Sequence, residues 1–344
     1  MREDALSRGR LPALDGVRGL SILLVLMTHF LPLKVNGYGL NSSVGMLGMA
    51  LFFCLSGFLI TRQILSGATF VEFLSKRLLR VLPVAWLCIL IVSFFVALTP
   101  YELIRNYLFV ANLPPQVLVK PIDHFWSLDL EVQFYLGASL VILFRPALIK
   151  LVLPLFLLVV IAIRVSDSTT ASSVTWYRID DLLAGGCLAI VCGKTGGLRI
   201  LEFLKRRVIF WMLLFLLCVS CLYLPDRAEN YVAYFRSVIC AAWVGSVVVS
   251  KSFSVSRFFN NKFLLYVASI SYALYVWHLP LADGWLGSGA LMEKYAKRPL
   301  LFIVLFAIAH ISTFYFERFF TEWGRRRFNH SRTKGRESNG GAGL

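Results

Sequence analysis

Arg18 and His29 stand eleven residues apart in one apolar run that opens Leu14-Asp15-Gly16-Val17-Arg18-Gly19-Leu20. At ~100° per residue, eleven steps make three turns plus ~20°, so both side chains leave the same face of a helix. At ~1.5 Å per residue they lie ~16 Å apart along it. An arginine holds phosphate through its planar fork. An imidazole, with an ordinary pKa of ~6.5, takes up a hydroxyl proton near neutral pH or carries a transferred group. One helix face therefore offers an anion anchor at its inner end and a base at its outer end. Asp15, three residues before Arg18, shares that face, and an Asp15–Arg18 ion pair is the competing reading.

Other polar residues recur at helical spacing. In the run His124-Phe125-Trp126-Ser127-Leu128-Asp129-Leu130-Glu131, followed by Gln133 and Tyr135, the residues Ser127, Glu131 and Tyr135 are four apart on one face. Glu131 is expected about two turns below the outer surface, level with His29 and able to orient it. Residues 70–83 read as an amphipathic interfacial helix in which Arg77 and Arg80 project together and suit phosphate, with lipid binding as the alternative. Arg178 and Asp181 are three apart, as in an ion pair. Ser271, Tyr275 and His278 share a face just before Pro280. Ser56-Gly57 is a small patch fit for close helix packing or a ligand. Two clusters are expected. The outer one holds His29, Glu131, Arg178, Asp181 and His278; the inner one holds Arg18, Arg77, Arg80 and Glu317.

Helices in a membrane must position these groups. Residues of the AVILMFWYC set make up 58% of the 344, charged residues only 16%, and mean hydropathy is +0.72. That composition excludes a water-soluble globule and a disordered chain. Ten apolar runs are predicted to cross the bilayer: 13–33, 45–62, 83–99, 124–144, 148–165, 174–193, 208–224, 232–250, 264–286 and 299–323. With the N-terminus taken as cytoplasmic, twenty-three Lys and Arg fall on the inner side and ten on the outer. This predicts an all-α polytopic protein with both termini in the cytoplasm. It also accounts for the net charge of +16, so no nucleic-acid partner is called for.

The remaining features are read plainly. Residues 1–323 form one expected membrane domain, and 324–344 a polar, disordered cytoplasmic tail. No cleavable signal peptide is expected. Asn41-Ser42-Ser43 matches a glycosylation sequon. The seven cysteines, including the Cys218-x-x-Cys221 pair, lie in or beside apolar runs and read as core residues, with no metal-ligand spacing among them.

In this order, the motifs resemble the acyltransferase 3 family of integral membrane O-acyltransferases. The matching stretches are Arg10-Leu11-Pro12-Ala13-Leu14-Asp15-Gly16-Val17-Arg18-Gly19 with His29, Ser56-Gly57-Phe58-Leu59, and Arg77-x-x-Arg80-x-x-Pro83. Further along come Phe125-Trp126-Ser127-Leu128-x-x-Glu131-x-x-Phe134-Tyr135, Arg178 to Gly185, and Ser271-Tyr272-Ala273-Leu274-Tyr275-x-x-His278-x-Pro280. The resemblance implies ten core helices, an acyl-CoA donor (usually acetyl-CoA) and a hydroxyl acceptor, often a sugar of a surface glycan. Arg18, His29, Arg77 and Arg80 match its essential pattern. Glu317-Arg318-Phe319 departs from it, since many members have Pro two residues after the Glu. The hydrolase-like domain appended in some members has no counterpart in these residues, so a second transfer step would need a partner.

The reading is an O-acyltransferase of a bacterial cytoplasmic membrane with no permanently bound cofactor. Arg18, Arg77, Arg80 and Ser56 are assigned to the donor, and His29 and Glu131 to catalysis. Trp126, Tyr135, Arg178, Asp181, Tyr275 and His278 are assigned to the acceptor or oxyanion. The rival is a secondary transporter that uses the same charges as a substrate or proton pathway, though no internal repeat is evident. A receptor-like protein would not need so many charges at membrane depth.

Overall fold

The structure is a computed structural model of the chain, describing residues 11–32, 40–193, 197–222, 230–250 and 253–327. Every regular element among the described residues is helical. In chain order these are α1 (Pro12–Phe30), α2 (Leu40–Leu65), α3 (Phe70–Ser93), α4 (Pro100–Tyr107), α5 (Trp126–Phe144) and α6 (Ile149–Ser166). Next come α7 (Thr175–Arg178), α8 (Asp180–Cys192), α9 (Leu198–Leu204), α10 (Arg207–Ser220) and α11 (Arg236–Val249). The last are α12 (Phe253–Phe259), α13 (Lys262–Ser269), α14 (Ser271–Asp283), α15 (Leu291–Ala296) and α16 (Arg298–Ile311). A π-helical turn, Ser312–Glu317, extends α16.

Local chemistry sets the helix starts. The Thr69 hydroxyl accepts the Glu72 N–H at the head of α3, and Thr99 and Glu102 cap each other reciprocally at α4. Pro12 and Pro100 sit where a missing N–H costs nothing. Asn41 donates to the carbonyls of Thr28 (2.6 Å) and Leu31 (2.8 Å). Its amide therefore ties down the end of α1.

Among the described residues, six helices are long and apolar enough to cross a membrane: Pro12–Phe30, Leu40–Leu65, Asp123–Phe144, Pro146–Ser166, Tyr231–Val249 and Arg298–Arg327. The other predicted runs differ in form. The run 264–286 is broken, because α13 and α14 meet at 70°. The run 83–99 is the second half of α3, which passes through Pro83 without interruption and so joins the expected interfacial helix to the span. The runs 174–193 and 208–224 contain helices of only 13 and 14 residues. Residues 324–327 of the expected disordered tail continue the last helix, while 328–344 lie outside the described residues, as do Arg2, Arg8, Arg10 and Lys34.

The bundle has an apolar exterior as well as an apolar core. Phe144, Leu151, Leu158, Phe215 and Ile303 are all exposed, the surface expected where lipid replaces water. Cys218 is exposed on this exterior, unlike the core role expected for it. Inside, α2 crosses α8 at backbone contact. A Cβ on Gly57 would stand 1.9 Å from the Leu182 carbonyl oxygen, and one on Gly185 1.9 Å from that of Cys54. Only glycine permits this reciprocal approach. It fixes Ser56, beside Gly57, deep in the bundle at 4% exposure.

Candidate active site

The inner site is a pocket of about 30 Å³ with walls from α1, α2, α3, α5 and α14. Arg18, Arg77 and Arg80 line it with Ser56, Glu131 and Tyr135. Ser56 Oγ donates to Glu131 Oε1 at 2.8 Å. Arg77 donates to Gln63 Oε1 at 3.0 Å and lies 5.7 Å over the Tyr135 ring. Asp15 and Glu131 both act electrostatically on Arg18. The Glu317 carboxylate, held by Thr313 Oγ1 at 3.1 Å, acts electrostatically on Arg80. Three guanidinium groups thus line the pocket with one lining carboxylate, Glu131, while Asp15 and Glu317 act on Arg18 and Arg80 from outside the lining. The N-terminus of α14, with Ser271 and Tyr272, opens into the same pocket and adds its dipole.

Glu131 belongs here and not beside His29. Ser127 is paired with the Tyr275 hydroxyl, and Glu131 lies one turn, ~6 Å, further in along the same face. That turn carries the carboxylate from the outer cavity to the arginines. The carboxylates that act on His29 are Asp123 and Asp283.

The outer site is a cavity of about 600 Å³ lined by His29, His124, Trp126, Arg178, Arg236 and Tyr275, among others. The His29 ring is exposed to it. The His278 ring is fully buried, with its centroid 5.1 Å from that of His29 and 4.7 Å from that of His124. Backbone carbonyls fix the tautomers of the two buried rings. His278 Nδ1 faces the Tyr275 carbonyl at 2.5 Å, and His124 Nε2 faces the Val276 carbonyl at 3.3 Å. A carbonyl only accepts, so each facing nitrogen carries the hydrogen and the other presents a lone pair. Those other nitrogens, His278 Nε2 and His124 Nδ1, have no hydrogen-bond partner. The Tyr275 hydroxyl is held by the His124 carbonyl and Ser127.

Behind the cavity wall is a buried charge network. Arg178 pairs with Asp181 at 2.6 Å and lies over the Phe53 ring. Arg164 pairs with Asp180 and donates to the Ala233 carbonyl at 3.0 Å. Arg236 donates to the Thr170 carbonyl at 3.2 Å. Asp129 accepts the Asn112 N–H at 2.9 Å, and Gln133 binds the Asn112 side chain at 3.0 Å. These bonds pin the connection between α4 and α5 that forms one side of the cavity. The two sites meet at one aromatic pair: Phe52 of the inner pocket stacks on Tyr275 of the outer cavity, ring centroids 6.3 Å apart.

Of the expected outer cluster, His29, His278, Arg178 and Asp181 do assemble, with Trp126 and Tyr275 in the same walls, while Tyr135 joins Glu131 inside. His124, Arg164, Asp180 and Arg236 were not expected there. Arg164 and Arg236 are two of the ten Lys and Arg that the sequence places on the outer side, although an arginine in the apolar run 148–165 is itself a signal of burial.

A sequence model of a protein family, described as "Acyltransferase domain", matches residues 11–318. The chain is 25% identical over 312 residues to O-acetyltransferase OatA of Staphylococcus aureus, covering 79% of this chain and 50% of that protein. It is 27% identical over 315 residues to putative peptidoglycan O-acetyltransferase YrhL of Bacillus subtilis, covering 79% of this chain and 48% of that one. The chain thus spans about half the length of these relatives. No solved structure matches it.

Proposed function

The chain belongs to the acyltransferase family whose model spans residues 11–318, and from that premise we propose that it is a membrane O-acetyltransferase. It takes the acetyl group of acetyl-CoA and delivers it to a hydroxyl of a sugar-containing acceptor. The observation that carries the reading is the division of labour along α1. Arg18 enters a pocket of three arginines, and His29, ~16 Å along the same helix, enters a cavity large enough for a sugar.

The CoA phosphates dock on Arg18, Arg77 and Arg80, and Ser56 and Glu131 hold the pocket's shape. The pantetheine arm passes the Phe52–Tyr275 pair and brings the thioester to the outer cavity. His29 accepts the proton of the acceptor hydroxyl as its oxygen attacks the thioester carbonyl, and CoA leaves as the thiol. His278 and His124 position His29, and Arg178 lines the acceptor cavity. Membership of this family does not favour the transporter reading. The membrane is a bacterial cytoplasmic one, crossed ten times if α3, α8, α10 and the bent pair each span, with both termini inside. In support, Arg164, Arg178, Arg236 and Arg298 of the outer count are buried, which sharpens the inner excess.

The test is purified protein reconstituted in sealed liposomes and given labelled acetyl-CoA and a glycan. Free CoA and labelled glycan are expected in equal amounts. Label that crosses the membrane without transfer would overturn the reading.

A further inference from the structure

The wall of the outer cavity carries more positive charge than its own carboxylates neutralise. Five ionisable side chains interact there: Arg164, Arg178 and Arg236 with Asp180 and Asp181. All are at most 4% exposed. Two of the arginines have carboxylate partners, Arg164 with Asp180 and Arg178 with Asp181. Arg236 has none among the described residues. Its contacts are the Thr170 carbonyl and the Met46 sulfur, and its Nε makes no hydrogen bond at 1% exposure. The arrangement is also directional. Arg178 and Arg236 line the cavity, and the two aspartates do not. Lys120, which is exposed, and Asp123 also line the cavity, one charge of each sign.

A buried charge without a counter-ion is costly, and a bound anion removes that cost. We propose that the acceptor is an acidic sugar, and that its carboxylate or phosphate docks on Arg236 and Arg178 while its hydroxyl is presented to His29. This rests on the acetyl-transfer reading above and adds the charge class of the acceptor, with Arg236 as its specificity determinant. A neutral sugar would bring the Arg236 guanidinium no counter-ion.

The experiment compares a uronic-acid oligosaccharide, the same sugar after reduction of its carboxyl to an alcohol, and a phosphorylated sugar, using wild type, Arg236→Gln, Arg236→Lys and Lys120→Gln. Wild type should favour the acidic sugars over the reduced one by about 10- to 100-fold in kcat/KM, the range of a lost charge-assisted contact. Arg236→Gln should erase that preference by raising KM for the acid while KM for acetyl-CoA stays put, and Arg236→Lys should keep part of it. Lys120 is exposed, so Lys120→Gln reports even if the Arg236 variants fail to fold, and it should cut the preference less. Quenching of Trp126 fluorescence on titration gives acceptor binding without turnover. Equal kcat/KM and equal binding for the acid and its reduced form overturn the proposal, as does an Arg236→Gln effect confined to acetyl-CoA. Release of CoA with no discrimination sinks this inference alone; no release with any acceptor sinks the acetyl-transfer reading beneath it.

Discussion

Pro280 on α14 leaves free the carbonyl that His124, in the turn just before α5, takes up. In an uninterrupted helix the N–H of residue 280 would bond the Val276 oxygen. Proline has no N–H, and the vacated oxygen accepts His124 Nε2 at 3.3 Å and faces Cys88 Sγ at 3.8 Å. The proline thereby sets the tautomer of a ring that packs on His278, which in turn packs on His29.

Pro280→Ala should separate stability from activity. Alanine is about 3 kcal/mol better than proline inside a helix, so the melting temperature should hold or rise. The restored N–H competes with His124 for Val276, and kcat should fall about ten-fold, less than the ~10²–10⁴ of losing a base outright. Unchanged kcat in a stabilised variant would detach His124 from the mechanism.

His29→Ala should lower the transfer rate by ~10²–10⁴-fold, with acetyl-CoA binding intact. The ring lies at the exposed end of α1, so folding should not suffer. Initial rates beside a CoA-binding measurement decide it. A rate within about threefold of wild type would move the base to His278, whose ring is the next one in.

Arg77→Ala and Arg80→Ala should each weaken CoA binding by about 1.5–3 kcal/mol, with lysine a partial substitute. Glu131→Gln should act differently. It leaves three arginines without their carboxylate, so the melting temperature of the free protein should fall, and added CoA should raise it by more than in wild type. Titration in a thermal-shift assay reads both. A Glu131→Gln variant with normal CoA response and a collapsed kcat would return this residue to His29's side.

Gly185→Ala should block assembly. Its Cβ would lie 1.9 Å from the Cys54 carbonyl oxygen, and backbone cannot give way as a side chain can. The cost should exceed the ~1–3 kcal/mol of ordinary overpacking. Gly137→Ala, with nothing within 4 Å of its Cβ, is the matched control and should be neutral. Folded yield in detergent distinguishes the two.

Helix content, membrane residence and the joint face of Arg18 and His29 follow from the amino-acid order alone. Apolar runs of this length have no stable place in water, and a 3.6-residue period puts i and i+11 in line whatever surrounds them. The pairing of Arg77 with Arg80, and of Arg178 with Asp181, was readable for the same reason. Each lies within one turn of one helix. Depth across helices was not readable. The apolar runs predict Glu131 and His29 at similar depth, yet the packing of α5 against α2 and α3 sets Glu131 deeper, among arginines. The bend at Ile270, the meeting of His124 with His278 and the burial of Arg236 beside Asp181 join segments far apart in the chain. Local periodicity carries no information on such contacts. They arise when glycine-lined helices close on one another and each buried polar group must find whatever partner that closure brings.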